Sequence, residues 1–270
     1  MPLTEKQNMK NLKVYWMRGK GRDIPSLKNF GDWLSKDVFE YISGRRVIWE
    51  SAKKAEYFGI GSISIRVNKL PLFRFTPLKI WGSGLSNGNI LEKHRCIRLL
   101  SCRGELTKDA FCSITSIPHN LSMGDPGLFV SEIWKANKNK KKVAVILNEG
   151  ELDFAKQIPS DLDFISPLGE PKDVVKLISS YDFIISSSLH GLIVADAYSI
   201  PSRMLKIRLN KFKFDDYYSI YPSREILPPL TIEELNDLNV DKIETYFNHN
   251  GIELERIKQC LRVSLVNSLD

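Results

Sequence analysis

Phe183-Ile184-Ile185-Ser186-Ser187-Ser188-Leu189-His190-Gly191-Leu192-Ile193-Val194-Ala195 is the stretch on which the reading of this chain turns. Apolar residues of strand type run into three serines, and an apolar stretch of helical length, His190 to Tyr198, follows and stops before Pro201. The pattern predicts a strand over Phe183–Ile185, a tight turn and a helix. In an open parallel sheet, ligands bind at the carboxyl ends of strands. A helix N-terminus there offers free N–H groups and a positive dipole end, which suits phosphate or carboxylate. Ser187 and Ser188 add hydroxyls, Gly191 lets backbone come close, and His190 is of a type that gives or takes a proton near neutral pH. The plainer alternative is a histidine that only packs at a helix start; its place on a serine-rich strand-to-helix turn favours function.

The flanks repeat the pattern. Val143 to Leu147, Phe164 to Ser166 and Met204 to Ile207 read as strands, and Pro171 opens a helix carrying Val174, Val175, Leu177 and Ile178. Strands alternating with helices imply a parallel sheet covered on both faces. The first half is more broken. Leu12 to Trp16, Arg46 to Trp49, Tyr57 to Ser62, Lys79 to Leu85 and Cys96 to Cys102 read as strands. Trp33 to Ile42 reads as a helix, and another starts near Thr107. The lysine-rich stretch at 131–142 is the best boundary. The expectation is an α/β fold with an N-terminal domain over 1–137, a second domain over 138–250 and an amphipathic helix over 251–270. Leu254, Ile257, Leu261, Leu265 and Leu269 form one face of that helix, with Ile252 and Val263 off the stripe.

The 270 residues, 43% hydrophobic and 26% charged, are those of a globular protein with a full core. The polar start and the lack of any long apolar run predict a cytoplasmic protein. Cys96, Cys102, Cys112 and Cys260 form no CxxC pair, and with scattered His94, His119 and His249 no metal site is expected. The net charge of +7 seeks anions. The lysine run at 137–142 has no interleaved aromatics, so a solvated linker is favoured over a nucleic-acid contact.

Two further constellations stand out. Arg103-Gly104-Glu105-Leu106-Thr107 places an arginine on a turn, where its planar fork suits bidentate capture of carboxylate or phosphate. Asn29-Phe30-Gly31-Asp32 offers two side chains for sugar hydroxyls; the alternative is helix capping by Asp32. Gly59-Ile60-Gly61-Ser62 and Trp81-Gly82-Ser83-Gly84 are glycine turns after strands, and neither makes a P-loop.

Taken in chain order, from Asn29-Phe30-Gly31-Asp32 through Gly59 to Ser62, Trp81 to Gly84, Arg103 to Thr107, Gly124-Asp125-Pro126-Gly127 and then Ser188 to Pro201, these motifs resemble the polysaccharide pyruvyltransferase family over roughly residues 12 to 220. The resemblance implies a GT-B-like fold, two Rossmann-like domains facing a cleft, with the C-terminal helix packing back. It implies transfer of the enolpyruvyl group of phosphoenolpyruvate to a saccharide, yielding a pyruvate ketal and phosphate without cofactor or metal. The acceptor would be lipid-linked or polymeric, which allows peripheral contact at the inner membrane face; no nucleic acid is involved. His190 would be the general acid/base. Arg103, Ser187, Ser188, His190, Gly191 and Lys213 would hold the donor, with Arg103 also catalytic. Asn29, Asp32 and Ser83 would face the acceptor, with Asp32 a base. Many family members carry arginine where this chain has Ser188. Lys213 is the preferred substitute cation, with Arg203 and Arg208 next. A nucleotide-sugar glycosyltransferase of GT-B type and a non-catalytic glycan-binding module are the competing readings.

Overall fold

The structure, a computed structural model, describes residues 10–19, 24–71, 73–88, 90–92, 96–137, 141–208, 210–221, 224–239 and 251–269. His94, His249 and Lys138 to Lys140 fall outside them. The first half holds β1 (Leu12–Tyr15), α1 (Phe30–Ser43), β2 (Val47–Trp49), β3 (Tyr57–Phe58), β4 (Leu78–Ile80), β5 (Ile97–Leu99), β6 (Ser101–Cys102), α2 (Glu105–Cys112), β7 (Ser122–Met123) and α3 (Val130–Ile133). The second holds β8 (Lys141–Ile146), β9 (Asp163–Ile165), α4 (Pro171–Ile178), β10 (Tyr181–Ser186), α5 (Leu189–Ala197), β11 (Ser202–Lys206), α6 (Phe212–Tyr218) and β12 (Leu230–Thr231), before α7 (Gly251–Val266).

Two five-stranded sheets, both parallel, form the frame: β2-β1-β3-β4-β5 and β12-β11-β10-β8-β9. Strand order reverses between β1 and β3 in one and between β8 and β10 in the other. These are the switch points where open sheets leave a crevice at their carboxyl edge. The apolar run of β8 alternates between two cores. Ala144 and Ile146 join a cluster with β1, α1 and α5, while Val143 and Val145 face the opposite layer with Phe183 and Leu205. That two-sided burial makes the run continuous in sequence. The first cluster spans both halves, from Leu12 and Phe39 to Ile184 and Leu192, so the two sheets share one core.

α1 starts at a cap by Asn29, not Asp32: the Asn29 Oδ1 accepts from the Gly31 N–H at 3.2 Å. Its buried stripe, Phe30, Leu34, Val38 and Ile42, recurs at helical spacing. Three expected strands are shorter or divided. Tyr57 to Ser62 pairs only over β3, then turns through Gly61 at φ 110°. Lys79 to Leu85 ends at Ile80 because Gly82, at φ 71°, turns the chain away. Cys96 to Cys102 divides between two sheets: β5 stays with β4, and β6 takes β7 as its partner. β8 begins at Lys141, so Lys141 and Lys142 belong to a strand rather than a linker.

In α7, Leu254, Ile257, Leu261 and Leu265 are buried, while Ile252 is 84% exposed. The Trp81 indole N–H donates to the Leu261 carbonyl at 3.0 Å, and the Tyr57 hydroxyl to that of Ser268 at 3.0 Å. Both anchors are first-half residues. Among the described residues no helix is long and apolar enough to cross a membrane.

Candidate functional site

At the carboxyl edge of the second sheet, a cavity of about 240 Å³ opens beside the β8–β10 switch point. Asn148 follows β8, Ser187 follows β10, and Lys206, Arg208, Lys211 and Lys213 come from the end of β11 and the start of α6. The lining holds these four cations and the Glu151 carboxylate, with Arg208 paired to Asp153 at 2.6 Å and Lys211 to Asp215 at 3.6 Å. The Ser187 Oγ accepts from the Asn148 N–H at 2.9 Å. Glu151 accepts the Arg208 N–H with Oε1, and its Oε2 is buried without a partner. Burial and the Arg103 charge push Lys213 down to about 8, with Glu151 and Asp32 opposing. Lys213 thus shares a cavity with Ser187. Ser188 is buried and its N–H is taken by the Ser186 Oγ at 3.0 Å.

The N-termini of α1 and α5 meet next to this cavity. A Cβ on Gly31 would lie 2.0 Å from Nδ1 of His190, so only glycine lets the imidazole settle on α1. The His190 Nε2 is buried and has no partner. The expectation of a histidine titrating near neutrality needs correction: burial first, then the charges of Arg103 and Lys213, lower it to about 3. The imidazole is therefore neutral at physiological pH in the ligand-free protein. Asp32 moves the other way, up to about 7, through burial and the nearby Glu149 and Asp125 carboxylates against Lys213. It lies against Gly61, where a Cβ would come within 2.6 Å of its Oδ1. Asp32 is therefore the carboxyl group of this cluster poised at neutral pH.

Arg103 is not the open fork that the sequence suggests. It is 1% exposed. Its Nε donates to Asp216 at 3.0 Å, its Nη1 to the Ser62 Oγ at 3.0 Å, and its Nη2 to the Leu85 carbonyl and, at 2.9 Å, to Asp216. Asp216 also accepts the Thr107 N–H at 2.8 Å and hydroxyl at 2.7 Å. Gly84 leaves the room, since a Cβ there would sit 2.3 Å from the guanidinium carbon. The pair is a buried strut between the halves, and Arg103 reaches the site as a fixed positive charge.

Three other expected ligands are already engaged. Ser83 is fully buried, donating to the Gly61 carbonyl and accepting from Ser64, both at 3.1 Å, so it ties two turns together instead of facing an acceptor. The Asn29 amide caps α1 and donates to Glu149 at 3.1 Å, which uses both its ends. The Gly191 N–H returns to the Ser188 carbonyl at 3.1 Å, and its missing Cβ makes room for Ser186, not for a ligand. Arg203 donates to the Pro228 carbonyl on the surface, while Arg208 lines the cavity.

Sequence reasoning passed over Asp125, Asp216 and Glu149. Asp125 is fully buried with Oδ2 unpartnered, and burial raises it to about 6. Its signal was the Gly124-Asp125-Pro126-Gly127 turn. Among the described residues no group of three His, Cys, Asp or Glu side chains could hold a metal ion.

The succinoglycan biosynthesis protein ExoV of Rhizobium meliloti (strain 1021) is 27% identical over 202 residues. That alignment takes in 70% of this chain and 60% of ExoV, so the chain spans less than two thirds of that relative. Among solved structures, an uncharacterized protein from Klebsiella pneumoniae subsp. pneumoniae NTUH-K2044 superposes with a TM-score of 0.48 at 11% identity, covering 84% of this chain and 94% of its own. The wall teichoic acid polymerase TagF gives 0.43 at 12% identity, covering 98% and 91%. The family model described as polysaccharide pyruvyl transferase matches residues 14–207, well over half the chain, with the His190 turn inside the match and Arg208, Lys211 and Lys213 beyond it, and the protein belongs to that family.

Proposed function

We propose that this protein transfers the enolpyruvyl group of phosphoenolpyruvate to two hydroxyls of a saccharide, forming a cyclic pyruvate ketal and releasing phosphate. The observation that carries the reading is the four-cation cavity beside His190 and Asp32, at the switch point where an α/β sheet binds its ligand. Its size and charge suit a small, multiply anionic donor. Family membership supplies the chemistry, and ExoV, named for succinoglycan biosynthesis, supports a bacterial exopolysaccharide as acceptor. Under this reading the two halves act as GT-B-like domains, donor on the second and acceptor on the first.

Phosphate and carboxylate of the donor sit against Ser187, Lys213 and the cavity's other cations, with Arg103 as a fixed charge behind them. Protonated Asp32 gives its proton to the donor methylene carbon, leaving an oxocarbenium-like centre at C2. The first sugar hydroxyl attacks that carbon, and the Asp32 carboxylate takes its proton. The C2–O bond to phosphate then breaks. The second hydroxyl closes the ring, and its proton passes through His190 to the departing phosphate. Proton balance closes: one hydroxyl proton ends on the new methyl group, the other on phosphate. Negative charge on the donor raises the imidazole from its ligand-free value, which favours proton transfer through His190 between the second hydroxyl and phosphate. The fixed cations stabilise the charge that moves onto phosphate.

The test is turnover in deuterated water. One deuterium in the ketal methyl group supports protonation at the methylene carbon. A ketal methyl free of deuterium, or no ketal with any saccharide tried, excludes the scheme.

A further inference from the structure

The amino edge of the first sheet, opposite the site, carries a feature that ketal chemistry does not use. In the loop before β4, Phe73 is 70% exposed and Phe75 is 95% exposed, with their rings 5.3 Å apart. Arg74 between them turns inward. Its Nη1 donates to the Lys53 carbonyl at 2.7 Å, its Nη2 to that of Ala55 and its Nε to that of Thr76 at 3.3 Å. The arginine fastens the loop's base, and the two rings stand out from it without core contacts of their own.

The surroundings are basic. Lys53 and Lys54, before β3, are exposed. Thr76 and Pro77, next along the loop, open onto a cavity of about 370 Å³ lined also by Lys10, Arg45 and Lys79. The one carboxylate in that lining, Glu56, is bound to Lys10 at 2.9 Å. The edge therefore presents two protruding aromatic rings in a field of positive charge.

We propose that this edge docks on an anionic lipid bilayer, with Phe73 and Phe75 entering the headgroup boundary and Lys53, Lys54 and Arg45 meeting the lipid phosphates. Apolar rings flanked by cations match an interface that is greasy within and anionic outside. Two projecting side chains offer little area to a protein partner, which needs a broad complementary patch. The loop lies at the sheet edge away from the site, so docking there leaves the reaction untouched.

The test is co-sedimentation of the full chain with phosphatidylcholine vesicles, with and without phosphatidylglycerol. Wild type should bind the anionic vesicles at least about tenfold better than the neutral ones, and added salt should weaken it. Phe73→Ser/Phe75→Ser should lose about tenfold or more, and Lys53→Glu/Lys54→Glu at least about thirtyfold. All these positions are exposed, so melting temperature and turnover with a soluble acceptor should stay unchanged. Equal binding to both vesicle types, or a serine variant that binds like wild type, overturns the proposal. So does wild-type self-association abolished by the serine pair, which would assign the rings to a second copy of the chain. A fall in turnover on soluble acceptor would place the loop in the reaction instead.

Discussion

Replacing Gly31 with alanine tests the geometry of the site without touching a reacting group. The new methyl carbon would lie 2.0 Å from the His190 Nδ1, 2.3 Å from its Cγ and 2.7 Å from its Cβ. Ordinary contact is about 3.5–4.0 Å, so the ring must retreat by roughly 1.5 Å. Turning the ring alone does not suffice, because the His190 Cβ is itself too close. A misplacement of about 1 Å in a catalytic group costs on the order of 10²-fold, so Gly31→Ala should lower kcat about a hundredfold. Stability should change far less. Overpacking costs about 1–3 kcal/mol, while alanine gains up to about 1 kcal/mol over glycine within a helix. The assay is phosphate release from phosphoenolpyruvate at saturating acceptor, with the melting temperature measured in parallel. A folded Gly31→Ala protein turning over within threefold of wild type would show that His190 does not work from the place described.

Asp32→Asn should cost about 10²–10⁴-fold in turnover, and wild-type turnover should be lost as pH rises through about 7, where Asp32 gives up its proton. The same raised value means the folded state favours the protonated acid. Its cost is absent below the unfolded value near 4 and complete above about 7, so Asp32→Asn should melt higher than wild type at pH 8, by a gap on the order of 2–4 kcal/mol that closes near pH 4. Lys213→Ala should weaken donor binding by roughly tenfold or more in calorimetry, and wild-type affinity should decline above pH 8 as the Lys213 ammonium loses its proton; normal affinity in the variant would move the substitute cation to Arg208. Arg103→Ala strips the partner from buried Asp216 and should destabilise the fold by about 3–5 kcal/mol in urea; a small change would deny the strut. Removing residues 252–270 takes away Leu254, Ile257, Leu261 and Leu265, each worth about 1.5–3 kcal/mol, and should leave little soluble protein; an unchanged melting temperature would contradict this.

The second sheet was readable from sequence because β8 and β10 form long apolar runs at its centre, α4 carries a clean stripe and α5 is apolar all round. β12 was not: two residues after Pro228 and Pro229 have no period to read. The first sheet's strands run two to four residues, and β3 and β4 run into glycine turns, so hydrophobicity continues past the point where pairing stops. In the site, the strand-to-helix turn at His190 was legible because placement in an α/β sheet follows from topology. Whether a polar side chain is free or spent was not, because partners such as Asp216 for Arg103, or Glu149 for Asn29, lie more than a hundred residues away. The inversion of roles has the same origin. Asp32 rises and His190 falls because of burial and of charges assembled only on folding.

The central claim is tested most directly by incubating the purified protein with phosphoenolpyruvate and a panel of galactosides, mannosides and glucosides, following phosphate and characterising the saccharide by NMR. The account predicts phosphate release only when an acceptor is present, in equal amount to a saccharide bearing a ketal methyl signal. Release of nucleotide from a nucleotide sugar, with phosphoenolpyruvate left intact across the panel, would contradict it.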